Sequence, residues 1–361
     1  MASPSMLTTV KKVYPGTTEN PNVQMKESFA DVIYNLSPTD TPFTSMCKRE
    51  SISAIEIGWF ADKLADAKVQ AGIPEGADAP VGEYEEVKRV MNLTQIFMKS
   101  VKVSNTAESV DFYGRKSEMA YQMTKKSQEL KRDIEATLCS KSRTAKGGYF
   151  SSLVATTPGN VTLNSGTADD TTREMSNFKF QIINNPMGTN NTVENGGGLA
   201  LNEGHLNKLM QKVWSKGGNP KTALVTANTA QAIAGFALTG GSVGGAARYR
   251  DIGQEKKLVN VVDVYVTPFG EMKIGLSRWL NYGEATPVAP TGSNPVVPGS
   301  DYKNDIFLID PKYISLAYLR QPSTTSIPQH GDREEKLITT ELTFKLTAPD
   351  GCGLLTNAYV G

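Results

Sequence analysis

The chain has 361 residues, of which 39% are hydrophobic and 21% charged, and its 38 Lys+Arg against 37 Asp+Glu leave a formal net charge of +1. That hydrophobic share excludes a wholly disordered chain and suffices for one large elaborated domain or two ordinary ones. The charge balance excludes a dedicated nucleic-acid binder, whose affinity comes from a basic excess that neutralises phosphate.

The three cysteines, Cys47, Cys139 and Cys352, are scattered and odd in number, with no CxxC pair. They argue against a disulfide framework or a zinc site and predict buried, reduced thiols in a cytoplasmic folding environment. The N-terminus lacks a basic region followed by an apolar one, so no signal peptide is expected. No apolar run approaches the roughly 20 residues that span a bilayer. The best candidate, Leu258 to Val266, is interrupted by Asn260 and Asp263. Asn-x-Ser/Thr triplets at Asn92 and Asn160 read as chance composition.

Residues 1 to about 25 are polar and aperiodic and read as an extended arm. A short apolar stretch, Phe29 to Leu36, ends at Ser37-Pro-Thr-Asp-Thr-Pro42, where two prolines stop any helix. From Ser51 the pattern turns strand-like, with Ile55, Ile57 and Trp59 on one face. A polar stretch from Ala61 to Glu86 follows, and a second strand returns through Met91, Leu93, Phe97, Val101 and Val103. A loop of about 25 residues between paired strands is rare unless it serves a partner or a function. From about Thr106 to Arg143 there is no proline, and Ala120, Met123, Ser127, Leu130, Ile134 and Leu138 recur at three- and four-residue steps. That stripe predicts one long helix, a spar of about 50 Å, opposite a charged face carrying Lys125, Lys126, Glu129, Arg132 and Asp133.

Residues 150 to 200 are weakly patterned and predict loops with one or two short strands around Phe178 to Ile183. Asn202 to Lys216 reads as a helix stopped by Gly217-Gly-Asn-Pro220, Ala223 to Thr226 as a buried strand, and Asn228 as the cap of a helix through Phe236. A glycine-rich loop, Thr239 to Gly245, precedes a hairpin (Val261 to Val266, Met272 to Leu276) about Pro268-Phe-Gly270. A Pro/Gly stretch, Gly283 to Gly299, leads to strands at Ile306 to Ile309 and Ile314 to Leu319. Ile338, Leu342, Phe344 and Leu346 alternate with Thr339, Glu341, Thr343 and Lys345, which predicts a half-buried antiparallel strand.

The chemistry is sparse. Gly240-Gly-Ser-Val-Gly244 satisfies G-x-S-x-G, and Asp310 and His330 follow Ser242 in hydrolase order. The motif follows a helix-like segment inside a glycine-rich run, so an exposed loop is the better reading and a serine hydrolase the lesser alternative. His205 and His330 share no metal-ligand spacing, and no nucleotide, zinc or calcium motif is present. No catalytic residue, metal or cofactor is therefore assigned. Glu83, Glu85 and Glu86 face Lys88 and Arg89 as a solvated charged loop, with an intersubunit ion pair as the alternative.

The order of arm, long two-stranded excursion, spar helix, mixed α/β insertion with a glycine-rich tip and returning strands resembles the major capsid proteins of tailed bacteriophages. The resemblance is also local: Asp31-Val-Ile-Tyr-Asn-Leu-Ser-Pro-Thr-Asp-Thr-Pro-Phe43, Asn92-Leu-Thr-Gln-Ile-Phe-Met-Lys-Ser-Val-Lys-Val-Ser104, Gly114-Arg-Lys-Ser-Glu-Met-Ala-Tyr-Gln122, Glu129-Leu-Lys-Arg-Asp-Ile-Glu135, Gly217-Gly-Asn-Pro220, Asp263-Val-Tyr-Val266 and Ala317-Tyr-Leu-Arg320. It runs through most of the chain from about residue 27 and is weakest in residues 150 to 200 and 283 to 303.

The resemblance implies an α+β capsid fold: an N-terminal arm (1–50), an E-loop (51–104), a P-domain (105–198) with a spine helix at about 106–143, an A-domain (199–311) and returning P-domain strands (312–361). It implies a structural virion protein and not an enzyme, assembled in the cytoplasm of the bacterial host. Pentamers and hexamers of it would form an icosahedral head around double-stranded DNA, touched weakly and non-specifically as the near-zero charge suits, with no membrane. Because the recognisable capsid sequence starts near residue 27, a separate scaffolding protein is expected, besides portal and possible decoration proteins. An encapsulin-like compartment shell is the structural alternative. Trp59, Lys63, Lys68, Glu75, Glu85 and Arg89 are the expected E-loop contacts, and Gly240, Gly241, Gly244 and Gly245 the tip at the symmetry axes. A cross-link from Lys63 or Lys68 to Asn357 is conceivable on the same ground, although chance placement is the better reading.

Overall fold

The computed structural model describes residues 37–64, 67, 69, 72–78, 87–111, 116–143, 145, 152–157, 160–164, 172–184, 192–196, 201–236, 263–280, 305–329 and 331–356. A five-residue helix, α1 (Pro42–Met46), leads into β1 (Lys48–Ser51), β2 (Glu56–Ala61), β3 (Lys88–Leu93) and β4 (Gln95–Ser104). Then come α2 (Asn105–Ser109), α3 (Glu118–Cys139), a two-stranded ribbon of β5 (Ser152–Thr157) and β6 (Asn160–Asn164), α4 (Phe178–Ile183) and β7 (Val193–Asn195). The second half holds α5 (Glu203–Ser215), β8 (Thr222–Val225), α6 (Ala227–Gly235), β9 (Val264–Thr267) and β10 (Gly270–Leu276). It ends with β11 (Ile306–Ile309), β12 (Ile314–Ile327), β13 (Arg333–Leu346), a 3-10 turn at Pro349–Gly351 and β14 (Gly353–Thr356).

Two sheets organise these elements. A four-stranded sheet has the order β1-β12-β13-β4, antiparallel apart from the β1–β12 pair. A six-stranded mixed sheet has the order β7-β14-β11-β8-β10-β9. Its centre is covered on both faces. Ala223, Val225, Met272, Ile306, Leu308 and Leu355 pack with Leu206, Leu209 and Met210 of α5, and with Ile233 of α6. Leu224, Phe307, Ile309 and Leu354 face a second core shared with α3, α4 and the four-stranded sheet.

The spar helix is shorter than its periodicity predicts. Instead of one helix at 106–143, α2 ends at Ser109 and α3 spans 22 residues, about 33 Å. Ser117 stops the pattern upstream: its hydroxyl accepts from Ala120 N, and Glu108 of α2 accepts from Ser117 Oγ and Met119 N. These side chains claim the orphan donors of a helix start, so α3 begins there. Downstream, Asn177 Nδ2 binds the carbonyls of Ser140 and Lys141 and ends the helix before Arg143.

Phe178 to Ile183 is a helix and not a strand. A six-residue apolar run is ambiguous by periodicity, and the deciding residue is Asn177, whose Oδ1 accepts from Phe180 N as an N-cap. The cap of α6 is Thr226 and not Asn228. The expected hairpin about Pro268-Phe-Gly270 is present as β9–β10. Gly217, at φ +85°, ends α5 with Gly217 N–H on Trp214 O and Gly218 N–H on Val213 O, a Schellman pair that a side chain at φ > 0 would strain.

The strand β13 alternates as expected, yet it is not half-buried. Ile338, Leu342, Phe344 and Leu346 face the core, while Thr340, Glu341 and Thr343 on the other parity are buried too. A strand central to its sheet is covered where neighbouring segments cross it, and Arg173 and Thr94 do so here.

Cys47, Cys139 and Cys352 lie in the same core, all reduced, with burial the main force pushing each thiol's pKa up, to about 12 for Cys352. A buried thiol with so little thiolate is a poor nucleophile. Alkylation followed by mass spectrometry is expected to leave all three unmodified in the native chain and to label all three in denaturant.

Candidate assembly interface

The β2–β3 hairpin pairs Glu56↔Leu93 through Ala61↔Lys88 and joins no third strand. A free two-stranded hairpin is marginal in water, so its root must be held. Asn92 is fully buried there: Oδ1 accepts from Leu93 N and Ser176 N (both 2.9 Å), while Nδ2 donates to Phe344 O (2.6 Å) and Ser176 O (3.3 Å). Gln95 Oε1 accepts from Met175 N (3.2 Å). Glu341 of β13, also buried, takes Thr94 Oγ1, Arg173 Nη2 and Arg320 Nε, each at 2.8 Å. Burial would raise the Glu341 carboxyl pKa, but the Thr94 and Arg320 hydrogen bonds and the two guanidinium charges outweigh it and hold the carboxyl below its usual range.

Beyond this root the hairpin is apolar on its surface. Phe60 is 75% exposed and Leu64 90%, and Ile55, Val69, Ile73 and Val87 are also exposed. A contiguous apolar surface of this kind marks an interaction site. A second such surface lies on β9–β10, where Val264, Val266 and Leu276 are exposed at the edge of the six-stranded sheet. Trp214, also exposed, packs on Phe269 in the adjoining turn with ring centroids 5.9 Å apart.

The residues expected at the interface are partly placed. Trp59, on β2, is buried, and its indole N–H has no acceptor among the described residues. Arg89, on β3, reaches Glu56 Oε1 at 2.8 Å and crosses Gly58, where a Cβ would lie 3.1 Å from Arg89 Nε. Lys63 lies in the strand exit, its backbone N–H on Asp62 Oδ1, and Glu75 is exposed in a turn closed by Ala77 N–H on Pro74 O. Lys68, Glu83, Glu85, Glu86, Gly240, Gly241, Gly244, Gly245 and Asn357 lie outside the described residues, as do Ser242 and His330. Asp310 accepts from Lys312 N, and His205 is buried on α5, 4.0 Å from Glu194. Among the described residues no cluster of His, Cys, Asp or Glu is placed to hold a metal, and no helix is long and apolar enough to cross a membrane.

The profile of the SU10 major capsid protein family matches residues 8–359. This chain belongs to that family. It is a structural virion protein, and the family is not one of enzymes. The major capsid protein of Escherichia phage Phieco32 is 44% identical over 115 residues, a match spanning 32% of this chain and about a third (33%) of that protein's length. The cyanophage A-1(L) capsid superposes with a TM-score of 0.58 at 11% identity, covering 94% of this chain and 98% of that one. The capsid of a native GTA particle gives 0.56 at 9%, covering 94% and 97%. The SrpI encapsulin of Synechococcus elongatus PCC 7942 gives 0.51 at 10%, covering 93% of each. At these identities the structures establish the α+β capsid fold, and the profile establishes the family.

The root residues escaped the sequence reading. Asn92 sat in a triplet taken for chance composition, and Asn92, Leu93 and Thr94 are all buried. Replacing Asn92 by Ala removes its hydrogen bonds to Ser176 and Phe344, and a loss of roughly 2–4 kcal/mol in unfolding free energy is expected by denaturant titration. Because the folded pKa of Glu341 is depressed, its stabilisation is complete above the usual carboxylate range of about 4.3 and is lost as pH falls through the folded value. The acid limb of a stability–pH curve is therefore expected to flatten in Glu341→Gln relative to wild type.

Proposed function

We propose that this capsid subunit forms pentamers and hexamers that close into an icosahedral head enclosing packaged double-stranded DNA. The observation that carries the reading is the β2–β3 hairpin, rooted by buried hydrogen bonds yet presenting Phe60, Leu64 and Ile73 to solvent. Burying such side chains against a neighbouring subunit recovers about 25 cal/mol per Å² of apolar surface. The hairpin takes the E-loop role. Its paired strands are β2 and β3, while β4, also within 51–104, belongs to the four-stranded sheet. The β9–β10 edge and the glycine-rich 239–245 segment take the A-domain role toward the symmetry axes, where a ring subunit makes head-to-tail contacts that close at fixed rotation. Near-neutral charge supports weak, non-specific contact with the enclosed DNA. Scaffolding, portal and decoration proteins are the expected separate partners. The encapsulin fold likeness gives a second shell type, distinguished by protein cargo in place of DNA inside purified particles.

Electron microscopy with sedimentation on the purified chain, alone and with a candidate scaffold, tests the reading. Icosahedral shells or capsomer rings are expected, and a monomer that never assembles would sink it. Phe60→Asp is expected to abolish shells while leaving the thermal midpoint of the unassembled chain unchanged. Shells that form as well as wild type would remove the hairpin from the interface. A denaturing gel of mature particles is expected to show a single monomer band.

A further inference from the structure

The chain N-terminal to residue 37 leaves the body through a joint built in two layers. The inner layer is α1. Its N-cap, Thr41, makes no side-chain cap, and Pro42 occupies the first turn, so the donors left over are Phe43 N and Thr44 N. Both are taken by Glu135 of α3, at 2.7 Å to Oε1 and Oε2, and the Thr44 hydroxyl also binds Oε2. Phe43 is fully buried against Phe178 and Phe344, and Cys47 Sγ donates to Phe43 O one turn later. Moving α1 would expose an aromatic ring and strand a buried carboxylate.

The outer layer holds Asp40 alone. Its carboxylate pairs with Arg278 at 2.5 Å, and both side chains are mostly exposed, 72% and 64%. Its carbonyl accepts from Trp279 Nε1 at 2.7 Å, and the Trp279 ring is backed by Arg132 of α3, 5.5 Å from the centroid. An exposed ion pair contributes little, so this layer yields long before the inner one. Thr41 lies between the layers, with its backbone at φ −129° and ψ 70°, outside the regular wells, and Pro42 stiffens the residue after it.

We infer that Asp40–Thr41 is a pivot: α1 stays locked to α3 while the Asp40 clamp on Arg278 and Trp279 opens and closes, setting the exit direction of the N-terminal arm. Resting on the shell reading, the pivot lets chemically identical subunits send their arms along different paths in five- and six-membered rings without disturbing the core.

The test begins with the unassembled full chain, so it does not depend on shells forming. Hydroxyl-radical footprinting reads Trp279, which the clamp covers, and alkylation reads Cys47, which α1 covers. Arg278→Ala is expected to raise Trp279 labelling by about fivefold with Cys47 still protected. Glu135→Gln, which keeps the size and one acceptor, is expected to speed Cys47 alkylation. Unchanged Trp279 labelling in Arg278→Ala, or Cys47 deprotected along with Trp279, would overturn the two-layer joint. The second arm is the double variant Asp40→Cys with Arg278→Cys, oxidised to lock the clamp. It is expected to unfold at the wild-type midpoint or above and to yield fewer closed shells than its reduced form. Equal shell yields from both forms would overturn the need for a moving arm. Absence of shells in wild type would instead count against the assembly reading, leaving the footprinting to decide the pivot.

Discussion

Phe178 is the point on which the architecture turns. Its ring meets Phe307 of the six-stranded sheet at 4.9 Å, Phe344 of the four-stranded sheet at 6.2 Å and Phe43 of α1 at 5.3 Å. Two sheets and the entry helix are thus brought to one side chain on a six-residue helix that is too short to be stable alone. Its neighbour Lys179 forms a buried ion pair with Asp305 at 2.7 Å, just before β11. Such a pair adds little net stability against an apolar replacement, but removing one partner is costly, so it opposes any slippage between α4 and β11. The aromatic ring supplies contact, and the polar pair supplies register.

The same segment controls the hairpin. Ser176 exchanges hydrogen bonds with Asn92, Asn177 ends α3 and starts α4, and Gln181 binds Phe344 O and Leu346 N. Every one of these groups is an amide or hydroxyl in a buried setting, where an unmet partner costs more than a met one gains. The root of β2–β3 therefore has one allowed placement relative to the two sheets. The hairpin beyond it has no such support. A rigid root with an unsupported apolar blade transmits a load applied at the blade directly to β13 and α4, which is mechanically suited to a subunit that leans on its neighbour.

The elements that could be read from the sequence were those whose cause is local. Helix α5 ends where Gly217 and Gly218 end it, the β9–β10 hairpin turns at Phe269-Gly270, and β13 shows its period of two in plain alternation. The features that escaped depend on distant partners. Nothing near Asn177 announces that it will reach back to Ser140 and Lys141 to halt the spar helix, and nothing near Glu341 announces two arginines from other segments. The burial of Thr343 and Thr340 shows the same limit, because alternation reveals which face meets the first core but not whether something crosses the other. At the interface, the hairpin was legible as an improbable loop, and Arg89 does belong to it. Its root was not legible, since Asn92, Thr94 and Gln95 look like ordinary polar strand residues until β13 and residues 173–177 are brought beside them.

A polar root is also the choice that separates stiffness from strength. An apolar root of equal area would hold the hairpin as tightly but would tolerate small rotations, because dispersion contacts have no direction. Hydrogen bonds to Asn92 and Glu341 lose their value with a modest change in angle, so they permit one orientation and penalise its neighbours. At the entry to the body the design is reversed: α1 is fixed by buried, directional bonds, but the next residue outward is held by an exposed ion pair that water and salt can replace. The chain thus grades from a core with one solution to a surface with several. Rings of different size built from one sequence demand that distribution, since the parts that define the subunit must not vary and the parts that meet its neighbours must.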